Sequence, residues 1–195
     1  MAEIIGVTGG MGAGKSTVLT ILADLGCRTL DSDTVVHQLY GPGRELVNVF
    51  VNRWGEHARD ENGGVCRPTV AREVFERPDE LSWLNSQVHP AVKRVIVKEA
   101  ARCSRHLFCA IPLLYEAGWE RDVYCVWAVW CDKETQHRRL SARGLTPREI
   151  TQRLDNQISM DEKLRRADGG LINTGSRESL KKQILRLLER LPPSP

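Results

Sequence analysis

The sequence feature that most constrains the fold is a glycine-rich segment near the start of the chain, residues 9–16 (GGMGAGKS). It matches the phosphate-binding pattern G-x-x-x-x-G-K-[ST] at every position. The apolar residues 4–7 before it predict a buried strand, and residues 17–25 after it predict a helix. A glycine-rich turn with a chance lysine would not need these neighbours. The segment therefore predicts a strand–loop–helix unit that binds phosphate.

Each part of this loop has a predicted contact with a nucleotide. Glycines let backbone N–H groups point at phosphate oxygens, and the helix N-terminus adds partial positive charge. Lys15 should reach the β- and γ-phosphates, and the Ser16 hydroxyl should ligate Mg²⁺. The residues that we expect to bind nucleotide from the loop are Gly10, Met11, Gly12, Ala13, Gly14, Lys15, Ser16 and Thr17.

Two carboxylates follow the next predicted strand. Residues 27–30 read as a short strand that ends in Asp31-Ser32-Asp33. Because the carboxyl ends of strands in open α/β sheets face the ligand crevice, both carboxylates should point toward what the loop holds. One of them could be a general base or an acid linked to Mg²⁺. The alternative is a helix N-cap with a solvated neighbour, although capping needs only one carboxylate.

The remaining apolar runs predict an α/β fold of the three-layer kind, with a five-stranded parallel sheet. Residues 107–111 and 123–130 are continuous apolar runs, which suit strands covered on both faces, and a short strand is expected within 167–175. The stripe of Tyr124, Trp127 and Trp130 is interpreted as core packing. The chain is predicted to be one domain, residues 1–195, with a nucleotide-binding core of 1–40, 106–132 and 167–191.

The segment between the second and third strands predicts a mostly helical lobe that binds the acceptor, residues 41–105. Helices are expected over 44–54, 68–76 and 78–104, with 55–68 as a loop. Pro90 should bend or restart the last of these helices. His89 could contact substrate or be a polar residue at the bend, and the sequence leaves both readings open.

Residues 133–166 predict a lid of three short, arginine-rich helices. Asp132 can cap the first, while Thr146 with Glu149 and Ser159 with Glu162 form capping boxes for the other two. Closing arginines can neutralise the charge of a transferring phosphoryl group and exclude water. Some arginines must be solvated, and the candidates are Arg138, Arg148 and Arg165.

Composition excludes several classes of function. The formal charge of +3 is too small to indicate nucleic acid as a partner. No apolar segment is long enough to cross a bilayer, and the first residues do not begin a signal peptide. The six cysteines form no C-x-x-C pair, which favours reduced thiols in a cytoplasmic protein over a metal site or disulfide framework. We expect a monomer or weak homo-oligomer.

Taken together, the motifs resemble one family, the dephospho-coenzyme A kinases, nearly end to end. The acidic pair, the P-L-L-Y-E stretch and the A-D…I-N-x-G ending make the resemblance far more specific than a phosphate loop alone. The matching residues are 8–17, 31–33, 89–90, 112–116, Gln136, Arg139, Arg143, Arg153, Gln157, 167–168 and 172–175.

The resemblance implies transfer of the γ-phosphoryl group of ATP to the ribose 3′-hydroxyl of dephospho-coenzyme A, with Mg²⁺. It implies that Asp33 is the base, that Lys15 holds phosphate and that Arg139 and Arg143 close from the lid. Asn173 would lie near the nucleotide base, although ordinary turn chemistry also accounts for 173–175. The residues implied to contact the acceptor substrate are Asp31, Asp33, His89 and Leu114.

The chain departs from the family pattern at three positions. Ala110 stands where an acid is frequent, His37 where an arginine is common, and Ala13 where serine is usual. Two other functions stay open: a kinase of the same fold that acts on a nucleoside or sugar acid, and a nucleotide-dependent switch. The switch would need guanine selectivity, and the sequence has no N-K-x-D-like motif.

Overall fold

The computed structural model describes residues 2–155 and 157–192. Within them the chain forms two compact units. One unit comprises Met1–Asp31 and Glu99–Pro195, and the other comprises Ser32–Lys98. The predicted acceptor lobe, residues 41–105, overlaps the second unit. Met1, Asn156 and residues 193–195, which the predicted domain boundaries include, lie outside the described residues.

The first unit is built on a five-stranded, all-parallel sheet with the strand order β2-β3-β1-β4-β5. This confirms the predicted fold class. The central strand β1 pairs with β3 on one side and β4 on the other, so the segment that leads into the glycine-rich loop is covered at both edges. The strands are β1 Ile4–Gly9, β2 Arg28–Asp31, β3 Leu107–Ala110, β4 Cys125–Trp130 and β5 Gly169–Ile172.

Nine α-helices are described in residues 2–155 and 157–192. They are α1 Lys15–Asp24, α2 Ser32–Leu39, α3 Glu45–Trp54, α4 Arg67–Val74, α5 Pro78–Ala100, α6 Lys133–Ser141, α7 Pro147–Asp155, α8 Met160–Arg166 and α9 Arg177–Leu188. Short 3₁₀ turns cover Glu56–Ala58 and Trp119–Arg121. The first of these turns lies in the segment that we expected to be a loop.

The core of the first unit lies between the sheet and helices α1 and α9. Ile5 and Val7 of β1, Leu22 of α1 and Ile184 of α9 are all fully buried in one apolar cluster. Apolar burial of this kind contributes about 25 cal/mol per Å² and is the main force that holds such layers together. The consequence is that α1, whose first turn carries the loop lysine, is fixed against the sheet.

The capping signals act as predicted, with one exception. Thr146 and Glu149 bond each other's backbone N–H groups, which is a complete capping box. Asp132 accepts from the Thr135 N–H at the start of α6. Ser159 accepts from the Glu162 N–H, but the Glu162 carboxylate binds Arg165 instead of returning to the helix start.

The aromatic stripe of β4 was only partly predicted. Trp127 is buried against Phe108, with ring centroids 5.1 Å apart. Tyr124 precedes the strand and is 51% exposed, so it is not a core residue. Trp130 is half-buried and donates its indole N–H to Asp161.

The second unit has an aromatic core and a buried carboxylate. The rings of Phe50, Trp54 and Trp83 contact one another with centroids 5.0–6.1 Å apart. Glu80 is buried and accepts bonds from Arg53, Arg77 and the Trp54 indole, so its charge is paired from several sides.

The predicted restart of the helix at Pro90 is wrong, because α5 runs unbroken from Pro78 to Ala100 with Pro90 inside it. Packing against the rest of the unit outweighs the lost backbone hydrogen bond, since Val88, Ala91 and Val92 beside the proline are all buried. No described helix of the chain is long and apolar enough to cross a membrane.

Candidate nucleotide-binding site

The glycine-rich loop joins the end of β1 to the start of α1. Gly14 is the N-cap of α1 in a left-handed conformation, with φ +105°, and Lys15 is the first helical residue. The Val18 N–H bonds the Gly14 carbonyl. The N–H groups of Lys15, Ser16 and Thr17 therefore have no acceptor within the helix and are available to an anion at its N-terminus.

The loop is packed so tightly that only glycine fits at two positions. A Cβ on Gly9 would lie 2.4 Å from the Val129 carbonyl oxygen, and one on Gly14 would lie 2.0 Å from Nδ2 of Asn173. Both glycines also have positive φ. The path of the loop is thus set by contacts with β4 and with the residue that follows β5.

Side chains from two elements hold the carbonyl groups of the loop. Asn173 Nδ2 donates to the Ala13 carbonyl at 2.7 Å, and Arg139 Nη1 donates to the carbonyls of Gly12 and Ala13, each at 3.2 Å. Gln136 Nε2 donates to the Met11 carbonyl at 2.7 Å. Because a peptide is planar and trans, fixing these carbonyls directs the N–H groups of Gly12 and Gly14 the opposite way, while the Ala13 N–H donates to the Gly10 carbonyl at 3.1 Å. The loop is therefore held in a shape that presents N–H donors.

Arg139 and Asn173 also bind each other. Arg139 Nη2 donates to the Asn173 carbonyl at 2.9 Å, which joins α6 to the end of β5. Both residues were predicted at the nucleotide, and their side-chain hydrogen bonds connect them to the loop and to one another. Asn173 is buried, so the structure gives it a role in shaping the loop that the sequence reading left unassigned.

The ammonium of Lys15 lies over the start of the loop. Its Nζ donates to the carbonyls of Gly9 and Gly10 at 2.8 and 3.2 Å. Ser16 follows as the second residue of α1 and is exposed. The lysine and the hydroxyl therefore both lie at the N-terminal end of α1, beside the first N–H groups of the helix.

The other predicted arginine of the lid occupies a different environment. Arg143 follows α6 and is exposed, and it forms no hydrogen bond or ion pair through its guanidinium with any residue in the described part of the chain. Arg138 and Arg148 are exposed as predicted, and Arg165 pairs with Glu162.

Asp31 ends β2 at the same edge of the sheet as the loop. It is in register with Ala110 of β3, one of the positions where the chain departs from the family pattern. An acid at 110 would place two carboxylates side by side, and this chain has one. Burial raises the pKa of the neighbouring Cys109 thiol to about 12, and the Asp31 carboxylate adds to that effect.

The oxygen donors at this edge fit Mg²⁺ held mainly by phosphate. Ser16 supplies a hydroxyl and Asp31 a carboxylate, which are hard ligands of the kind that Mg²⁺ prefers. Within residues 2–155 and 157–192 there is no group of three His, Cys, Asp or Glu side chains that could hold a metal alone. All six cysteines are free thiols.

Leu114 does not lie where the expected contact with the acceptor substrate would require it. Its side chain is fully buried, and its Cδ1 lies 2.6 Å from where a Cβ on Gly6 would be. It therefore packs under β1 as a core residue and does not present a surface to a substrate. The neighbouring Pro112 carbonyl accepts bonds from Thr8 Oγ1 and Lys163 Nζ, so this segment is tied to β1 and α8.

The second unit carries Asp33 and His89. Asp33 is exposed in the first turn of α2, where a carboxylate is also favourable toward the helix dipole. His89 lies within α5, half-buried, and burial lowers its pKa. His89 is therefore mostly neutral near pH 7.

A guanidinium also lies beside His37, where the family pattern commonly has arginine. Nη2 of Arg67 contacts Nδ1 of His37, and its guanidinium lies 5.8 Å from the centre of the Tyr40 ring. Burial raises the pKa of Tyr40 to about 12 despite this cation. Arg67 comes from the start of α4, so no local sequence pattern connects it with His37.

Comparison with known proteins adds a family to this geometry. Residues 3–179 match the family model described as dephospho-CoA kinase. A protein of Symbiobacterium thermophilum named dephospho-CoA kinase is 40% identical over 187 residues, which cover 93% of this chain and 78% of the relative. The matched region contains the loop, the acidic pair, residues 133–166 and Asn173.

Solved structures share the fold over nearly the whole chain. A crystal structure of a Thermus thermophilus protein superposes with a TM-score of 0.84 at 35% identity, and the match covers 98% of each chain. A dephospho-CoA kinase from Campylobacter jejuni superposes with a TM-score of 0.70 at 25% identity, over 97% of this chain and 96% of the other.

Proposed function

The chain belongs to the dephospho-CoA kinase family, and we propose that it transfers the γ-phosphoryl group of ATP to the ribose 3′-hydroxyl of dephospho-CoA. The products are CoA and ADP, so the reaction is the last step of CoA biosynthesis. The observation that carries this proposal is the family match across residues 3–179, which spans both units.

The loop and α1 bind the triphosphate. The N–H groups of Gly12 and Gly14 and those at the start of α1 donate to phosphate oxygens, because Gln136 and Asn173 hold the carbonyls on the other side of the two loop peptides and the helix offers its first N–H groups no acceptor. Lys15 exchanges its bonds with the Gly9 and Gly10 carbonyls for the β- and γ-phosphates.

Two arginines differ in what they do. Arg139 shapes the loop through its bonds with Gly12, Ala13 and Asn173, and its charge adds to the field at the phosphates. Of the two, Arg143 can reach a phosphoryl group without breaking a hydrogen bond of its guanidinium, because none is described for that group. It would stabilise the negative charge that spreads over the equatorial oxygens during transfer.

Asp33 is the proposed base for the 3′-hydroxyl, and this role rests on the family resemblance. It lies two residues after Asp31 and is exposed. His89, neutral near pH 7, is proposed to contact the acceptor as a hydrogen-bond partner. Ser16 and Asp31 would hold Mg²⁺, which supplies neutralisation of phosphate charge when bound.

The direct test is a coupled assay with dephospho-CoA, ATP and Mg²⁺, with the phosphorylated product identified by mass. We expect CoA and ADP in equal amounts, and no product from the Lys15→Met variant. A nucleoside and a sugar acid should be offered in parallel. Phosphorylation of either of these, with dephospho-CoA left unchanged, would favour the other small-molecule kinase instead.

We also propose a cytoplasmic protein, monomeric or weakly self-associating. The six free thiols are stable in a reducing compartment, and burial raises the pKa of several of them, which keeps them protonated. Cell fractionation and sedimentation at several concentrations would test the two statements separately.

A further inference from the structure

Met11, at the crest of the loop, is hydrogen-bonded through both its backbone N–H and its backbone carbonyl. Gln136 Nε2 donates to its carbonyl at 2.7 Å, and Oε1 of Gln157 accepts its N–H at 3.3 Å. The two glutamines come from different places, one from α6 and one from the segment that precedes α8. Gln136 is buried, and the Met11 carbonyl is the oxygen acceptor of its amide, beside a weaker contact with Sδ of Met160 at 4.0 Å.

The residue next to Gln157 is bonded to the segment that follows β3. The Ile158 N–H donates to Oε1 of Glu116 at 2.9 Å. The same oxygen lies 2.8 Å from Nζ of Lys163, which also donates to the Pro112 carbonyl at 2.7 Å. Residues 157 and 158 are therefore fixed, one to the phosphate loop and the other to the segment that follows β3.

The strength of this chain of contacts depends on burial. The Lys163 side chain is 0% exposed and the Glu116 side chain 19%, so the ammonium must be paired to remain charged inside the protein. A carboxylate that already accepts from a buried ammonium is held in one place. The Glu116 carboxylate can therefore fix the Ile158 N–H. Because Ile158 is bonded to Gln157 along the backbone, this also restricts the position of the Gln157 side chain.

We propose that Gln157 is a positioning residue for nucleotide binding. It orders the Met11 peptide before nucleotide arrives, and Glu116 with Lys163 in turn positions Gln157. The inference rests on the proposed function, since it concerns the same loop. A loop that is disordered before binding must lose conformational entropy when nucleotide binds. Because Met11 is already ordered in the folded protein, binding does not carry this cost and the affinity for nucleotide is higher.

The experiment compares Gln157→Met, which keeps length but loses the acceptor, with Arg148→Met, an exposed change in α7. For Gln157→Met we expect ADP affinity to fall and the KM for ATP to rise by about three- to tenfold, the worth of one hydrogen bond. The kcat at saturating ATP and the melting temperature should change little. The Met11 amide should exchange faster with solvent, and Arg148→Met should match the wild type throughout.

Two further variants separate positioning from general stabilisation. Gln157→Glu keeps an acceptor oxygen, so the Met11 amide should regain its protection even though the added charge weakens ADP binding. Glu116→Gln weakens the hydrogen bond with the Ile158 N–H but keeps a side chain of the same size at position 116. In the double variant Glu116→Gln/Gln157→Met, the loss of ADP affinity should be smaller than the sum of the two single losses.

Several outcomes would overturn the proposal. Unchanged Met11 exchange and ADP affinity in Gln157→Met would show that the contact does not order the loop. A lower melting temperature with a parallel loss of kcat would indicate a role in stability alone. Additive losses of ADP affinity in the double variant would show that Glu116 does not act through Gln157. Failure of the wild type to phosphorylate dephospho-CoA would sink the proposed substrate but leave the ADP and exchange measurements valid.

Discussion

The side-chain amide of Asn173 occupies the space that a side chain on Gly14 would need. Its Nδ2 lies 2.0 Å from the position of a Cβ at Gly14 and donates to the carbonyl of Ala13 at 2.7 Å. The glycine and the asparagine are far apart in the sequence, and each is explained by the other. Any substitution of one must therefore be judged with the other in view.

The first prediction concerns Gly14→Ala. The new methyl group would meet Asn173, and φ +105° is unfavourable for alanine, so we expect a lower melting temperature and loss of measurable ADP binding by calorimetry. The control is Gly26→Ala, which has φ +81° but nothing within 4 Å. It should lose stability of about 1 kcal/mol and keep ADP binding. Equal behaviour of the two variants would show that the clash is unimportant.

The second prediction concerns Arg139→Met. Losing three charge-assisted bonds to carbonyls should loosen the loop and lower ADP affinity by about tenfold or more. Arg138→Met, an exposed arginine on the same helix, should bind ADP like the wild type. Titration calorimetry measures the ADP affinity of both variants. Equal ADP affinities for Arg139→Met and Arg138→Met would mean that Arg139 contributes to binding only through the net charge of the helix.

The third prediction concerns Asp33→Asn. If Asp33 is the base, turnover should fall by about 10²–10⁴ while ATP binding stays nearly intact. Asp79→Asn removes an exposed carboxylate from the first turn of α5 and should leave turnover unchanged. Steady-state kinetics at saturating ATP measure the effect. Normal turnover in Asp33→Asn would assign proton removal to another group.

The fourth prediction concerns pH. Burial lowers the pKa of His89, so the folded protein disfavours its protonated form. The stability that this neutral histidine permits is present above about pH 6.5, the pKa of an unfolded histidine, and is lost as the pH falls below it. Melting temperatures should therefore drop more steeply from pH 7 to 5 in the wild type than in His89→Gln. The exposed His137→Gln should follow the wild type, and parallel curves for all three would contradict the assignment.

Local patterns predicted much of the fold. The loop motif, the apolar runs of the strands and the pairing of Thr146 with Glu149 depend on residues that are close in sequence, so the chain alone reveals them. The unbroken helix through Pro90 was missed, because its stability comes from the packing of Val88 and Ala91. Periodicity cannot weigh that packing against a missing N–H group.

The site was predicted less completely than the fold. The identity of Arg139 and Asn173 as site residues came from the family resemblance, but their bonds to loop carbonyls depend on how α6 and β5 meet the loop. Gln136 and Gln157 matched the family pattern and were still left out of the predicted site. The available signal was the match of both glutamines to the family pattern, which does not say what their amides bind.

The order of the strands has a consequence for how the chain acquires its shape during synthesis. The central strand, Ile4–Gly9, leaves the ribosome first, but its partners Leu107–Ala110 and Cys125–Trp130 follow about 100 residues later. At ordinary translation speeds that is a delay of roughly 5–20 s, during which its backbone has no neighbour in the sheet. We therefore expect the sheet to form late and cooperatively, once more than half of the polypeptide has emerged. Until then the first strand should benefit from protection by chaperones.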